Sequence, residues 1–185
     1  MWELKEPNPV KLVIAILSAD SQCLDQVRSV LAEALGPVDL VSDVWPFVQT
    51  AYYADQAGQQ IVRQFVSVEK LVDPGVLADM KHRTNEIEQE LAHLLDRPFP
   101  RPVNLDPGVV EPSKLILATT KNYSHRIYIG KKMYAEVTLV YDKGGWRPLA
   151  YTYPDYRQRT YFDFFTQVRD KLLRQLKSTK QANEI

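Results

Sequence analysis

Six consecutive apolar residues, Leu12 to Leu17, make the longest unbroken apolar run in the chain. With Val10 ahead of them they predict a buried strand. Residues 1–9 are polar and proline-containing and read as an arm leading into it. Beyond it, Leu24, Val27, Leu31 and Leu35 recur at spacings of three and four, which predicts a helix capped by Asp20 or Ser21 and stopped at Gly36-Pro37. Val38 to Val48 is β-prone but interrupted by Pro46, so an edge strand, or one ending near Trp45, is expected. Tyr52 to Gln60 reads as a polar connection. Ile61 to Val68 alternates, with Ile61, Arg63, Phe65 and Ser67 on one side and Val62, Gln64, Val66 and Val68 on the other, the period of a strand.

Asp73-Pro74 supplies a helix N-cap and a proline at the first helical position, where a missing N–H is harmless. Leu77, Met80, Thr84, Ile87, Leu91 and Leu94 then form a helical stripe ending before Arg97-Pro98, with Asp79, Glu86 and Glu90 on the far side. Pro98, Pro100 and Pro102 keep the next segment extended. The resulting order, βαββαβ, is that of a ferredoxin-like α+β sandwich with two helices on one sheet face.

From residue 113 the pattern turns to β. Leu115–Thr119, His125–Ile129, Met133–Tyr141 and Trp146–Thr152 are expected strands, separated by turn-forming segments at 130–132 and 142–145. A three-residue turn at 130–132 opposes Ile129 to Met133, Ile127 to Ala135 and His125 to Val137, and on the other side Tyr128 to Tyr134 and Arg126 to Glu136. Thr160 and Asp163 resemble a capping box ahead of a helix striped by Tyr161, Phe165, Val168, Leu172 and Leu176. The fold expected is therefore α+β: a ferredoxin-like βαββαβ core extended by C-terminal β-hairpins and a C-terminal helix. Residues 1–177 form a single domain, and 178–185, without an apolar anchor, form a disordered tail.

With 185 residues, 45% hydrophobic and 25% charged, the chain suits one globular domain able to bury a core without metals or disulfides. The single Cys23 makes no internal bridge and agrees with a reducing cytoplasm, as a small buried hydrophobe. No run approaches the roughly 20 apolar residues that cross a bilayer, and Glu3, Lys5, Glu6 and Lys11 do not suit a secretory signal. The net charge of zero hides a split. Residues 1–112 carry 9 Lys/Arg against 17 Asp/Glu, and residues 113–185 carry 14 against 6. Either the second half offers an anion-binding surface, or the two halves neutralise each other.

Several chemistries are excluded by absence. The chain has no phosphate loop of the Gly-x-x-x-x-Gly-Lys-Ser/Thr kind, no Gly-x-Gly-x-x-Gly fingerprint, no Gly-x-Ser-x-Gly elbow and no cysteine pair for zinc. His82 and His93 fall on one helix face but roughly 16 Å apart, too far to share a metal ion. The identity of any cofactor is left open by these motifs. What remains is a polar constellation. Asn104 and Asp106 are two apart, so an extended backbone points both the same way, although Asp106 before Pro107-Gly108 also suits a turn cap. Lys121, His125 and Arg126 set a group that titrates near neutrality among cations that hold phosphate or carboxylate, with Glu136 opposite Arg126. The alternative is a cross-strand ion pair beside a core histidine. Tyr153-Pro154-Asp155-Tyr156-Arg157 reads as a rigid loop placing an acid and a base at a cleft. Eight of the ten tyrosines lie between Tyr123 and Tyr161, suited either to sheet packing or to stacking bases beside Lys131, Lys132 and Arg147.

The sequence resembles a prokaryotic family known as domain of unknown function 4416. The resemblance rests on Lys5-Glu6-Pro7 with Pro9-Val10-Lys11-Leu12, on Asn104-Leu105-Asp106-Pro107-Gly108, on Ser113-Lys114-Leu115 with Thr120-Lys121, on His125-Arg126-Ile127-Tyr128, on Tyr134 to Leu139, and on Thr152 to Arg157. It runs from about residue 4 to 176. Some members carry a GTP-binding label, but here Tyr123 stands where a guanine-recognising Thr-Lys-x-Asp stretch has its acid. Two functions follow from the residues. One is an intracellular module binding an anionic ligand, whether nucleotide, phosphorylated metabolite or RNA. The other is a small hydrolase or transferase in which His125 and Asp106 are catalytic. In either case Asn104, Lys121, Arg126, Glu136, Asp155, Tyr156 and Arg157 bind ligand. Both require the Asn104–Gly108 segment and the Lys121–Glu136 hairpin to meet at one hollow.

Overall fold

The computed structural model describes residues 4–48 and 61–183. The connection expected over Tyr52 to Gln60 lies outside them, as do residues 1–3 and 184–185. The strands are β1 (Val10–Ser18), β2 (Val38–Val41), β3 (Trp45–Pro46), β4 (Val62–Val72), β5 (Val103–Val110), β6 (Lys114–Thr119), β7 (Ile127–Tyr128), β8 (Tyr134–Asp142) and β9 (Gly145–Pro148). Among the described residues they form one antiparallel sheet in the order β2-β4-β1-β5-β6-β8-β7, with β3 beside β4 and β9 beside β8. The α-helices among the described residues are α1 (Leu24–Leu35), α2 (Leu77–Leu94) and α3 (Arg159–Asn183). The architecture is α+β.

Every residue of β1 is buried because both its faces are covered. Leu12, Ile14 and Ile16 share a cluster with Leu24, Val27 and Leu31 of α1 and with Ile87 and Leu91 of α2. Val13 and Ala15 share another with Phe65 and with Tyr161, Phe165 and Val168 of α3. The continuous apolar run is thus a strand alternating between two cores. Asp20 caps the entry to α1 by accepting from the N–H groups of Gln22 and Cys23, and Asp73 accepts from Gly75 ahead of α2. Gly36, at φ 100°, ends α1 in a conformation that favours glycine.

Lys11 lies on the α3 side of β1 and is completely buried. Its Nζ donates to Asp39 Oδ2 at 2.5 Å, to the Glu69 carbonyl at 2.9 Å and to Gln175 Oε1 at 2.9 Å. Asp39 also accepts from Ser67 and pairs with Lys171 at 2.9 Å. Burial would raise the Asp39 carboxyl, but the hydrogen bonds from Lys11, Ser67 and Lys171 outweigh it and hold it below the usual carboxylate value. Burial wins at Lys11, whose ammonium is pushed down despite Asp39.

Several expectations are corrected. Asn104 to Gly108 does not turn: Pro107-Gly108 continues β5, with Pro107 opposite Ile14 and Gly108 opposite Val13. Proline survives in an interior strand because β5 and β6 pair only from Gly108 to Val110. Before Gly108 the sheet splits. The hairpin keeps the predicted register, with Ile127 opposite Ala135, Tyr128 opposite Tyr134 and the Ile129 N–H donating to the Met133 carbonyl. Its first strand is nevertheless only two residues long, and Ile127, 71% exposed, packs against no core. The last strand stops at Pro148 rather than Thr152, whose hydroxyl donates to the Thr138 carbonyl. Leu94 is exposed, while Lys81 and Glu88 hold buried places on α2. Helix α3 starts at Arg159, which puts Thr160 inside the first turn instead of at the cap. It also continues through the stretch expected to be a disordered tail from 178, as far as Asn183.

A Cβ on Gly108 would lie 2.6 Å from Leu117 Cδ2 and 2.7 Å from the Ile116 carbonyl oxygen. Gly108→Ala is expected to destabilise the protein by about 1–3 kcal/mol in urea unfolding, because the Ile116 backbone has to shift. Asp39→Asn is expected to lower stability at pH 7. The native Asp39 pKa is depressed, so its contribution is full above the unfolded value and fades as pH falls through the native one. The gap between wild type and Asp39→Asn in urea unfolding should therefore narrow from pH 7 to about pH 3.

Candidate functional site

Where β6 leaves β5, the peptide of Leu105 loses its neighbouring strand. Two side chains of α2 take that strand's place. Glu88 Oε1 accepts from the Leu105 N–H at 2.7 Å, and Lys81 Nζ donates to the Leu105 carbonyl at 2.8 Å. Both peptide groups are satisfied, as buried backbone requires. Lys81 also reaches Asp106 Oδ1 at 3.0 Å, and Arg101 holds Glu88 Oε2 through Nε at 2.9 Å and Nη2 at 2.6 Å. Arg101 donates to Asn104 Oδ1, and Asn104 Nδ2 donates to Asp106 Oδ2 at 2.6 Å. The four charges and one amide form a closed ring of donors and acceptors on the β5 side of the gap.

The gap opens into a cleft of about 810 Å³, within the range of small-molecule sites. The α2–β5 wall contributes Lys81, Glu88, Arg101, Asn104 and Asp106; across it lie Thr119, Thr120, Lys121 and Glu136 from β6 and β8. Tyr153, Asp155 and Tyr156, around the 3-10 turn Pro154–Arg157, close another side, with Leu17, Phe47 and Arg63 beyond. The segment Asn104–Gly108 and the hairpin running from Lys121 to Glu136 therefore do meet at one hollow.

Six of the residues predicted from sequence, Asn104, Asp106, Lys121, Glu136, Asp155 and Tyr156, line this cleft. Three others do not. His125 and Arg126 sit behind Glu136 and hold its Oε2, through Nε2 at 3.0 Å and Nε at 2.8 Å respectively. The His125 ring stacks on Tyr151 with centroids 4.2 Å apart and meets Tyr123 edge-on, so it faces aromatic neighbours at the rim instead of the core face expected. Arg126 also donates to the Lys121 carbonyl at 3.0 Å and to the Tyr153 hydroxyl, which fixes the cleft's mouth. Arg157 is spent on the Thr152 and Ala150 carbonyls at 3.0 and 2.9 Å, stapling its own loop.

The electrostatics distinguish the carboxylates. Burial would raise Asp106, but Lys81, Arg63 and Asn104 outweigh it and keep the carboxyl below its usual value, ionised toward the cleft. At Glu88 burial outweighs Lys81 and Arg101, and the carboxyl is pushed up. The second oxygen of buried Glu136, Oε1, has no hydrogen-bond partner among the described residues. Among the described residues no group of three His, Cys, Asp or Glu side chains is placed to hold a metal ion.

Sequence reasoning missed Lys81, Glu88, Arg101 and Arg63 as members of the site. A signal existed for two of them. Leu77, Lys81, Thr84, Glu88 and Leu91 fall on one helical stripe, so two opposite charges occupied core positions of an otherwise apolar face.

Residues 8–172 match the model of a family described as Domain of unknown function (DUF4416), and the chain belongs to that family. No curated protein matches it, and no solved structure does.

Removing Lys81 leaves the Leu105 carbonyl, Asp106 and Glu88 without their shared cation. Lys81→Ala is expected to destabilise by about 3–5 kcal/mol in denaturant unfolding. Adding Asp106→Asn should recover part of that loss, since it removes one of the stranded charges.

Proposed function

We propose that this family member binds a small molecule bearing a phosphate or carboxylate in the cleft between β5 and β6. The observation that carries the reading is the split sheet itself. Pro107 in β5 stops the ladder, and Lys81 and Glu88 keep the exposed strand edge satisfied, so a cavity with converging polar groups is held open by the fold. Aromatic and aliphatic walls, from Phe47, Tyr153, Tyr156 and Leu117, leave room for an apolar or planar ligand body. The first-half strand order β2-β4-β1-β5, with α1 and α2 packed on one face, supports the ferredoxin-like description of this scaffold. A cytoplasmic, prokaryotic setting fits the resemblance and the single buried Cys23.

A small-molecule ligand is favoured over RNA. Lys81, Arg101 and Arg63 of the cleft are already opposed by carboxylates: Lys81 by Asp106, Arg101 by Glu88 and Arg63 by Asp155. The anion is therefore met by directed N–H groups more than by a broad positive field. Tyr156 and Tyr161 are buried in the α3 layer, and Tyr141 packs against Trp146 and Arg169, so these rings are occupied rather than offered to bases. A hydrolase reading with His125 as acid or base is less supported, because His125 stands behind Glu136, outside the cleft lining.

Calorimetric titration with nucleotides, sugar phosphates and organic acids tests this. A cleft ligand should bind with affinity falling less than about tenfold between roughly 50 and 200 mM salt, whereas an RNA footprint of 6–10 phosphates loses about 10³–10⁵. Arg101→Ala should weaken the binding about tenfold or more, one partner of a charged contact being lost. If no such ligand binds but RNA does with the steep slope, the cleft reading fails.

A further inference from the structure

Arg63 is left unexplained by the ring of charges around Leu105. It projects from β4 on the α3 side of the sheet, opposite Leu17 of β1, and is 4% exposed. Its Nη2 donates to Asp155 Oδ2 at 2.9 Å, while Nε and Nη1 have no hydrogen-bond partner among the described residues. The rings of Phe47, Phe65 and Tyr156 surround the guanidinium, with centroids 5.2, 5.5 and 5.6 Å from Cζ. The hydroxyl of Tyr156 also lacks a hydrogen-bond partner among the described residues. Arg63, Asp155, Tyr156 and Phe47 all line the cleft. Buried donors in folded proteins are almost always matched, and a guanidinium does not shed its protons to escape the mismatch.

We infer that Arg63 is the anchor for a ligand carboxylate at the inner end of the cleft, and that the ligand is a monocarboxylate with an apolar or aromatic body. The inference rests on the cleft being a small-molecule site. An arginine presents five N–H groups, and Asp155 takes one at Nη2. Whichever Nη2 hydrogen Asp155 holds, one edge of the fork keeps two parallel N–H groups, the match for the two oxygens of a carboxylate. Charge separates carboxylate from phosphate. Arg63 already shares its cation with Asp155, and Asp106 lies within its field. A phosphate dianion would add nearly two negative charges there, whereas a carboxylate adds one. Leu17, Leu117, Phe47 and Tyr156 along the same lining suit an apolar body. The Tyr156 hydroxyl, which lines the cleft, stays protonated because burial pushes it well above its usual value, so it remains able to donate toward an oxyanion.

Benzoate and phenyl phosphate share one ring and differ in the anion, so the pair tests the assignment directly. In the full chain with ¹⁵N-labelled arginine, benzoate should shift the Arg63 Nε–H resonance saturably and bind at least tenfold more tightly than phenyl phosphate. Arg63→Lys keeps the charge and loses the fork, and should weaken benzoate at least tenfold. The wild-type resonance decides the matter even if that variant folds poorly. If phenyl phosphate or another anion binds the cleft while the Arg63 resonance stays still, the anchor is overturned and the cleft reading stands. If phenyl phosphate binds tighter and moves the resonance, the carboxylate assignment is overturned. If neither probe nor any other anionic small molecule binds, both readings fall.

Discussion

Pro107 occupies an interior strand at a position where the neighbouring peptide, two residues earlier, turns its N–H and C=O away from β1. By the alternation of an antiparallel strand, Pro107 faces the same way and has nothing to donate to β6. The ladder ends there, and the unmet polar groups of Leu105 require another solution. Lys81 and Glu88 provide it from a helix, at the expense of burying two opposite charges. Those charges recruit Arg101, Asn104 and Asp106, so the polar wall of the cleft follows from one missing N–H and the obligation to satisfy what it leaves behind.

The architecture was legible in the sequence wherever a single physical rule acted alone. The continuous apolar run of β1, the spacing along α1, the Asp73-Pro74 entry to α2 and the parity of the hairpin about residues 130–132 all agree with the structure. At Asn104 to Gly108 the extended reading stands and the turn fails: Asp-Pro-Gly favours a turn locally, but the close approach of β6 that makes Gly108 necessary is a contact about eight residues further on. His125 was misread for a related reason: parity assigns a face, but β7 is a two-residue strand at the sheet edge, and its sides face solvent and aromatic side chains. The site was half legible. The residues contributed by β5, the hairpin and the final loop advertised themselves by clustering along the chain. Lys81, Glu88 and Arg63 did so only through burial, which depends on distant partners.

The charge division between the two halves of the sequence takes on a different meaning in three dimensions. Several basic residues of the second half are spent on the first: Lys171 on Asp39, Lys131 on Asp79, while Asp155 returns the favour to Arg63. Part of the apparent surplus is therefore adhesive between segments, and the buried pairs fix where the segments sit. In the cleft, Lys81, Arg101 and Arg63 are each held by a directional hydrogen bond to a carboxylate.

Lys11 has a consequence for the order in which the chain can become whole. Its partners lie 28, 58 and 164 residues away in sequence. During synthesis the first strand emerges long before Gln175 and Lys171 exist, so the earliest sheet must hold a cation only partly neutralised by Asp39. The final helix then does more than cover an apolar face: its arrival completes an electrostatic lock, and truncated nascent chains lack the key.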